Sequence, residues 1–260
     1  MIASTMNFYL TSLGCKLNWA ELEQFRRQIA AYGHAVVDDV TQADWAIVNT
    51  CTVTHVAERK SRQAIRRLGR ENPHARIAVV GCYAQVVPEA VQAVDGVALC
   101  VGNREKDQLV ARILAAEADA IPCAATRLLP EDTAPRTRAF CKIQDGCDNR
   151  CSYCIVTIAR GPQRSVAPEA VLAEVRALVN EGYQEIVLTG VHIGAYGRDA
   201  EPSSAAQGWD LARLVRCLLE ETDVPRLRLS SIEPWDVTEA LLELWPHPRL
   251  CPHLHLPLQS

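Results

Sequence analysis

The length, composition and charge of the chain exclude several classes of protein. Its 260 residues suffice for one large domain or two small ones, and with 48% hydrophobic residues it can bury a core. A net charge of −4 does not indicate a protein that binds nucleic acid over its whole surface, so such a role would need a local basic patch. We expect neither a signal peptide nor a membrane span, because no apolar run reaches the roughly 18 residues that cross a bilayer.

The first 120 residues alternate apolar strands with helical patterns. The predicted strands are 8–13, 45–50, 77–81 and 97–102, and the predicted helices are 18–32, 56–71, 88–94 and 105–117. Such alternation predicts a parallel sheet with helices on both of its faces. Residues 121–138 follow, rich in Ala, Pro, Thr and charge, and are predicted to form a linker.

A second alternating series covers residues 139–260. Strands are predicted at 139–143, 185–190, 226–231 and 253–258, and helices at 167–182, 209–221 and 236–245. The sequence stops at Ser260, directly after an apolar run. Because a domain rarely ends in this way, we expect a chain that is truncated at its C-terminus.

The eleven cysteines are a large number for a chain of this kind. Cytosolic thiols stay reduced, and an odd number of cysteines cannot pair completely, so we do not expect a disulfide framework. Metal ligation or catalysis explains the composition better. We therefore expect a cytoplasmic protein that uses several of its thiols for chemistry.

Three cysteines, called here the loop cysteines, are Cys147, Cys151 and Cys154 in the string CDNRCSYC. Three thiolates on one short loop can hold three irons of a 4Fe–4S cluster and leave the fourth iron open, because such a cluster normally takes four thiolates. Gly146 before the loop suits a backbone that wraps around a metal centre. A zinc knuckle with a distant fourth ligand, such as Cys141, is the alternative.

Three further cysteines, called here the strand-end cysteines, are Cys15, Cys51 and Cys82. Each follows a predicted strand directly or after one glycine. The carboxyl ends of parallel strands lie on one edge of a sheet, where such folds bind ligands, so the three thiols can converge on one metal centre. Gly14 and Gly81 beside them allow close approach of the backbone. Ordinary buried cysteines are the alternative, since free cysteine is among the most buried residue types.

The spacing of the loop cysteines, after the first strand of a predicted β/α barrel, resembles the radical S-adenosylmethionine superfamily. More of the chain resembles one branch of it, the methylthiotransferases. The matching strings are SLGCKLNWAELE, NTCTVTHVAERKSRQAIRR, VVGCYAQ, DGCDNRCSYC, IARGPQRS, EIVLTGVHIGAYG, LRLSSIEP and HLHLPLQS. Within this family, TCTVTHVAERKSRQ is most like the group that acts on N6-threonylcarbamoyladenosine at position 37 of tRNA.

This resemblance implies a fold and an activity. The expected α/β fold is a flavodoxin-like parallel-sheet domain (1–120) followed by an incomplete radical-SAM β/α barrel (139–260), without the family's C-terminal TRAM domain. The implied reaction replaces C–H by C–S–CH3 and consumes two S-adenosylmethionine molecules. Two 4Fe–4S clusters are implied, one on the loop cysteines and one on the strand-end cysteines. The implied partners are a tRNA substrate and an electron donor such as flavodoxin or ferredoxin, and we expect no membrane partner.

The resemblance also indicates residues that bind S-adenosylmethionine. Tyr153 precedes the last loop cysteine, where the superfamily has an aromatic residue near the adenine, although simple packing is the alternative. Gly190, Ser231 and Glu233 lie at or just after the ends of predicted barrel strands. Folds of this kind place their binding groups at those ends, and in the superfamily these strands contribute to binding S-adenosylmethionine.

Arginines supply the local positive charge that RNA binding would need. Four of them follow one face of the predicted helix 56–71, and we expect Arg62 and Arg66 to contact tRNA phosphates. A solvated basic face is the alternative. Arg160 and Arg164 are candidates to hold a carboxylate or phosphate of cofactor or substrate, although loop arginines more often face solvent.

Two other functions remain compatible with the sequence. The same chemistry on another target would make the chain a methylthiotransferase for isopentenyladenosine in tRNA or for ribosomal protein S12. A different class would be a non-catalytic iron–sulfur, zinc or RNA-binding fragment. Metal analysis and cleavage of S-adenosylmethionine distinguish these classes.

Overall fold

A computed structural model describes residues 5–118, 137–199 and 204–258. Contacts divide the chain into two compact units. The N-terminal unit comprises Met1–Thr133 and Ser152–Arg160, and the C-terminal unit comprises Ala134–Cys151 and Gly161–Ser260. The domain boundaries drawn from the sequence remain predictions. Residues 121–136 of the predicted linker lie outside the described part of the chain, and Arg138 already begins a strand.

The N-terminal unit is built on a five-stranded parallel sheet. Its strands are β1 (Asn7–Ser12), β2 (Ala35–Val37), β3 (Trp45–Thr50), β4 (Arg76–Gly81) and β5 (Val97–Val101). Their order across the sheet is β2-β1-β3-β4-β5, which is the order of flavodoxin-like folds. The predicted parallel-sheet fold is therefore confirmed. Because β1, β3 and β4 are neighbours, the residues that follow them lie side by side at the carboxyl edge.

Helices cover the two faces of this sheet. They are α1 (Lys16–Ala31), α2 (His55–Glu71), α3 (Cys82–Val86), α4 (Pro88–Gln92), α5 (Leu109–Ala118) and, from the returning segment, α6 (Val156–Arg160). Short 3-10 helices cover Val40–Gln42 and Lys106–Gln108. Thr54 starts α2, because its hydroxyl accepts a hydrogen bond from the amide of Ala57 (3.1 Å) and so satisfies a free donor of the first turn.

The core of this unit follows from the alternation along β3, which is buried at all six positions. Trp45 and Ile47 belong to an apolar cluster with α1 and α5, whereas Ala46 and Val48 belong to a second cluster with α2 and α3. A strand whose successive side chains enter two cores must lie between two layers of helices. This position fixes β3, and therefore the residue after it, between the two layers.

Three local features of the unit differ from the sequence-based prediction. The short edge strand β2 was not predicted, because three residues are too few to show a period. The predicted helix 88–94 is part of a pair, α3 and α4, which are separated by Val87. Val87 precedes Pro88, whose ring disfavours helical backbone at the residue before it. The predicted helix 105–117 begins as a 3-10 turn and becomes α-helical only at Leu109.

The C-terminal unit contains a three-stranded parallel sheet in the order β10-β9-β6. Its strands are β6 (Arg138–Lys142), β9 (Glu185–Thr189) and β10 (Leu227–Leu229), and a separate antiparallel pair is formed by β7 (Gln144–Asp145) and β8 (Arg164–Ser165). The helices are α7 (Pro168–Asn180), α8 (Leu211–Glu221) and α9 (Glu239–Leu242), with 3-10 turns at Ile193–Ala195 and Pro234–Asp236. Parallel strands joined through helices confirm the predicted β/α organisation.

The last part of this unit is less regular than the sequence indicates. Residues 253–258, which were predicted as a strand, form a single bridge between Ser231 and His255. The predicted helix 236–245 is helical only over Glu239–Leu242, because Pro234–Asp236 forms a 3-10 turn before it. Apolar side chains in both stretches still pack against the core of the unit, so the apolar pattern reports burial here rather than regular backbone.

Candidate functional site: two sets of cysteines

The strand-end cysteines lie together because of the register of the central strands. Thr50 pairs with Gly81 across β3 and β4, so Cys51 and Cys82 follow adjacent strands at the same level. Ser12 pairs with Asn49 across β1 and β3, which brings Gly14 opposite Cys51. A Cβ added to Gly14 would lie 2.8 Å from the Cβ and 3.0 Å from the Sγ of Cys51. A larger residue before Cys15 would therefore displace the neighbouring thiol.

These thiols also interact electrostatically. Burial raises the pKa of the Cys82 thiol, while the positive charge of Arg160 and a hydrogen bond from Asn103 lower that pKa and the nearby Cys51 raises it. Cys51 and Cys82 are buried and Cys15 is exposed. Every described cysteine is a free thiol, so the strand-end cysteines offer three unoxidised sulfur donors at one edge of the sheet.

The donor chemistry fits an iron–sulfur cluster better than a single ion. Within residues 5–118, 137–199 and 204–258, the structure contains no group of three or more His, Cys, Asp or Glu side chains arranged to hold one metal ion. In a 4Fe–4S cluster each thiolate binds a different iron, so three sulfurs surround the cluster without converging on one point. That the three strand-end cysteines hold such a cluster remains a prediction.

A buried network of polar and charged side chains lies directly beside the strand-end cysteines. Its members, called here the buried network, are Asn18, Glu21, Asn103, Lys106 and Arg160, each at most 3% exposed. Glu21 pairs with the ammonium of Lys106 and accepts a hydrogen bond from Nη1 of Arg160 (2.9 Å). Buried charges are tolerated when they are paired and hydrogen-bonded in this way.

Two asparagines connect this network to the thiols. Asn18 Oδ1 accepts from Nη2 of Arg160 at 2.7 Å and lies 3.5 Å from the Sγ of Cys15, which donates to it. Asn103 Oδ1 accepts from Lys106 at 3.4 Å, and its Nδ2 donates to the Sγ of Cys82 at 3.5 Å. Two of the three strand-end cysteines therefore touch an amide that the charged groups hold in place.

The buried network was missed in the sequence analysis, although one signal pointed to it. Leu22, Phe25 and Ile29 form the buried stripe of α1, and Asn18 and Glu21 occupy positions on the same stripe. A polar residue at a core position of an amphipathic helix needs a buried partner. Arg160 was considered as a ligand for a carboxylate or phosphate, but the structure instead buries its guanidinium against Glu21.

Cys51 has a separate backbone support from α2. Its amide donates to the Oγ of Ser61 at 3.2 Å, and the same oxygen lies 2.8 Å from the carbonyl of Cys51. Ser61 is completely buried on the inner face of the helix. The helix that begins four residues after Cys51 therefore also fixes the backbone of that cysteine.

The loop cysteines lie in a more exposed setting. Cys151 is exposed, and Cys147 and Cys154 are partly buried. Cys147 and Cys151 belong to the C-terminal unit, whereas Cys154 belongs to the returning segment Ser152–Arg160 of the N-terminal unit. The amide of Cys147 donates to the carbonyl of Gly161 (3.1 Å).

Gly146 and Gln144 shape the start of this loop. Gly146 has a φ of +72°, and a Cβ there would overlap the carbonyl of Pro162. The fully buried Gln144 donates through Nε2 to the carbonyl of Gly146 (2.7 Å), and its Oε1 accepts from the amide of His192 (2.8 Å). One side chain thus connects the cysteine loop to the end of β9, which the sequence analysis did not anticipate.

His192 is a second residue beside the loop cysteines that the sequence analysis did not identify. Its Nδ1 lies 3.9 Å from the Sγ of Cys147 and 3.5 Å from Nδ2 of Asn149. Its Nε2 lies 2.6 Å from the carboxylate of Asp236, which also pairs with Arg198. The Asp236 carboxylate therefore fixes the orientation of an imidazole that faces the first loop cysteine.

The predicted cofactor residues are only partly collected at one edge. Gly190 and Ser231 follow β9 and β10, which are adjacent parallel strands, and Glu233 precedes the 3-10 turn at Pro234–Asp236. Ser231 Oγ lies 2.7 Å from Nδ1 of His255. Tyr153 is 76% exposed and belongs to the N-terminal unit. Their role in binding S-adenosylmethionine remains a prediction.

The predicted RNA-binding arginines lie on the outer face of α2. Ile65 and Leu68 bury the opposite face, and both Arg62 and Arg66 are exposed. Arg62 forms an ion pair with Glu58 at 3.3 Å, so part of the positive charge is compensated locally. The helix starts just after Cys51, which places a mainly basic surface next to the strand-end cysteines within the same unit.

Comparison with known families agrees with this geometry. Residues 7–112 match the family described as "Uncharacterized protein family UPF0004", and residues 141–260 match the radical SAM superfamily. A threonylcarbamoyladenosine tRNA methylthiotransferase MtaB of Bacillus subtilis is 38% identical over 96% of the chain, and one of Thermotoga maritima is 35% identical over 96%. The chain is similar to radical SAM methylthiotransferases over nearly all of its length. The family resemblance found in the sequence is thereby confirmed.

The methylthiotransferase regions divide the two cysteine sets. All strand-end cysteines lie in the UPF0004 match and all loop cysteines in the radical SAM match. A tRNA-2-methylthio-N(6)-dimethylallyladenosine synthase of Staphylococcus haemolyticus is also similar, at 32% identity over 97% of the chain. The chain spans 56% of the Bacillus subtilis relative, 58% of the Thermotoga maritima relative and 51% of the Staphylococcus haemolyticus relative.

Solved structures show the same fold at much lower identity. The radical S-adenosylmethionine methyltransferase TsrM of Kitasatospora setae, with cobalamin and a 4Fe–4S cluster bound, matches with a TM-score of 0.63 at 16% identity. The match covers 98% of this chain and 61% of the TsrM chain. Among the described residues, no helix is long and apolar enough to cross a membrane.

Proposed function

We propose that the chain forms part of an enzyme that methylthiolates N6-threonylcarbamoyladenosine at position 37 of tRNA. The observation that carries the proposal is the pair of cysteine sets, in a chain whose similarity to MtaB methylthiotransferases extends over both. The loop cysteines would hold one 4Fe–4S cluster and the strand-end cysteines another. One S-adenosylmethionine would serve as radical source and a second as methyl donor.

The two sets of cysteines would have different tasks. The loop cysteines would hold a cluster that supplies the electron for cleaving S-adenosylmethionine, and the protein would position the reacting groups. Gln144 and Gly146 hold the start of that loop, and His192 faces its first thiol. The strand-end cysteines would hold a second cluster at the edge of the flavodoxin-like sheet, and this cluster would carry the sulfur that is transferred.

Other residues of the chain would bind the substrates. Gly190, Ser231 and Glu233 would contact S-adenosylmethionine at the carboxyl edge of the second sheet, and Tyr153 would contact its adenine. The exposed arginines of α2 would hold tRNA phosphates. The enzyme would act in the cytoplasm, where thiols stay reduced, and would receive electrons from a donor such as flavodoxin or ferredoxin.

Iron analysis tests the two-cluster proposal directly. After anaerobic reconstitution, the wild-type chain should hold about eight irons and eight sulfides, because each cluster contains about four of each. The triple variant Cys147→Ala, Cys151→Ala, Cys154→Ala should fall to about four. A matched triple variant of Cys15, Cys51 and Cys82 should fall to the same level. Wild-type chain with about four irons, all of them lost from the first triple variant, would contradict the proposal.

RNA binding is tested through α2. The double variant Arg62→Glu, Arg66→Glu should bind tRNA more weakly. Its affinity should also depend less steeply on salt, because the loss of two phosphate contacts reduces the number of counterions that binding releases. The pair Arg213→Glu with Arg216→Glu on α8, in the other unit, makes the same change of net charge as a control. Equal affinities and salt slopes for all three proteins would contradict an RNA surface on α2.

A second substrate deserves a direct comparison, because one similar relative is a tRNA-2-methylthio-N(6)-dimethylallyladenosine synthase at 32% identity. Mass spectrometry of tRNA nucleosides separates the two reactions, since the products differ in the N6 substituent. Methylthiolated threonylcarbamoyladenosine in a host that lacks its own enzyme supports the first proposal. Methylthiolated isopentenyladenosine alone would support the second.

A further inference from the structure

The amide of Asn103 stands out because its orientation is fixed by all of its contacts. Its Nδ2 donates to the carbonyl of Ala159 (2.6 Å) and to the Sγ of Cys82 (3.5 Å), while its Oδ1 accepts from Lys106 (3.4 Å). If the amide were turned over, its oxygen would face the carbonyl of Ala159 and its NH2 would face the ammonium. Both contacts would be repulsive, so the network holds an N–H group toward Cys82.

Asn18 makes the opposite contact with Cys15. Its Nδ2 donates to the carbonyls of Leu13 (2.7 Å) and Thr50 (3.2 Å), so only its oxygen is turned toward Arg160 and Cys15. An oxygen acceptor suits a protonated thiol, whereas an N–H donor suits a thiolate. Of the two amides, therefore, only Asn103 can keep its hydrogen bond when the neighbouring cysteine becomes a metal ligand.

Arg160 adds a fixed positive charge to the same environment. Its guanidinium is 3% exposed and is anchored to Glu21 and Asn18. The helix that carries it, α6, packs against α3, whose first residue is Cys82. A buried charge in this position is little screened by solvent, and it acts on whatever negative charge resides on the sulfur of Cys82.

We propose that Asn103 and Arg160 are positioning residues that raise the reduction potential of a cluster bound by the strand-end cysteines. Hydrogen bonds to the sulfurs of a cluster favour its reduced state, because that state is more negative, and a nearby positive charge does the same. Lys106 and Glu21 act only by holding these two groups in place. The inference rests on the proposed function, because it requires a cluster at Cys15, Cys51 and Cys82.

The potential can be measured in a chain that carries only this cluster. The triple variant Cys147→Ala, Cys151→Ala, Cys154→Ala provides the background, and a redox titration followed by electron paramagnetic resonance gives the midpoint potential. Asn103→Ala should shift the midpoint to a more negative value, because the donor to Cys82 is lost. Asn103→Asp, which is isosteric and keeps a partner for Lys106, should also shift it negatively if the alanine variant does not fold.

Three further variants separate tuning from general stability. Arg160→Gln removes the charge and should lower the midpoint, whereas Arg160→Lys keeps the charge and should restore most of the original value. Asn72→Ala is the matched control, since Asn72 is buried in the same unit. Its side-chain amide donates to the carbonyls of Val40 (2.8 Å) and Ala43 (3.0 Å) rather than to a thiol. Its variant should leave the midpoint unchanged.

The possible failures are distinct. Absence of iron from the triple-alanine background would overturn the proposed second cluster, and with it this inference. If the background variant holds iron but neither Asn103→Asp nor Arg160→Gln changes its midpoint potential, the present inference is overturned and the proposed second cluster is not. A shift of equal size in Asn72→Ala would show a general effect of lost stability and would also overturn it.

Discussion

The two sets of cysteines differ in how the chain brings them together. The strand-end cysteines come from three distant points of the sequence and meet only because β1, β3 and β4 are adjacent and in register. The loop cysteines lie within eight residues and need only a local turn. The first set is backed by a buried network of charges, and the second is supported by one glutamine and one histidine. The difference teaches that the first site depends on the whole fold, whereas the second depends on a short segment.

The largest expected effect concerns the charge at the centre of the buried network. Glu21→Gln removes the carboxylate that Lys106 and Arg160 share, and breaking a buried ion pair costs about 3–5 kcal/mol. Urea denaturation of the N-terminal unit should show this loss. Glu58→Gln, which breaks an exposed pair with Arg62 on α2, should cost less than about 1 kcal/mol. Similar losses in both variants would show that the buried ion pairs stabilise the unit no more than the pair on α2 does.

A smaller effect should separate the two sites at the level of iron. Gly14→Ala places a side chain at φ +111° and against Cys51, so the chain should lose about four of about eight irons, those of the strand-end cysteines. Gly96→Ala, at φ +84° with only Ile77 nearby, carries a similar backbone cost of about 1–2 kcal/mol without touching a thiol. Equal iron loss in both variants would attribute the effect to folding rather than to the contact with Cys51.

The loop cysteines should respond to His192. His192→Ala removes the imidazole beside Cys147, and loss of a group that supports a ligand typically lowers metal affinity by about 10–100-fold. Iron retained during a chelator challenge measures the effect in the triple variant that lacks the strand-end cysteines. Asp236→Asn should show a smaller loss, because the histidine remains but its orientation is weakened. His253→Ala, at an exposed position, is the control and should retain iron like the parent.

The smallest effect is a dependence on pH that belongs to the C-terminal unit. Hydrogen bonding to Arg228, together with the charges of Arg138 and Arg226, holds the pKa of Glu185 below its ordinary value of 4.5. A lowered pKa in the folded state means that this carboxylate stabilises the unit above about pH 4.5 and that the contribution is lost as the pH falls through the lowered value.

Glu185→Gln checks this assignment. As the pH falls below 4.5, the free energy of unfolding of the C-terminal unit should decrease less steeply in the variant than in the wild type. Because Arg138 and Arg226 are more than half exposed, we expect the ion pairs to contribute modestly. Identical pH profiles for the two proteins would show that this carboxylate does not control acid stability.

The same contrast explains how much the sequence could reveal. The six cysteines could be proposed as cluster ligands because their spacing and their positions after strands are visible in the sequence, and the parallel sheet followed from the β–α alternation. No spacing in the sequence relates Asn103 and Arg160 to Cys82. The contacts that place these groups join distant parts of the chain, as between Arg160 and Glu21, which are 139 residues apart. Gln144 and His192 act through contacts with backbone and sulfur that no residue pattern encodes. The missed strand β2 and the irregular stretch 253–258 were set by packing rather than by period.

The returning segment Ser152–Arg160 has a consequence for how this architecture can be rearranged. A genetic exchange at the junction between the two alternating series would leave the N-terminal sheet of one parent beside an α6 from another. The helix α6 would then come from a different parent than its buried partners Asn18, Glu21 and Asn103. A chimera joined at residue 138 should therefore fold only when its segment 152–160 comes from the same parent as its N-terminal sheet. The part of the sequence that must be exchanged together is thus discontinuous.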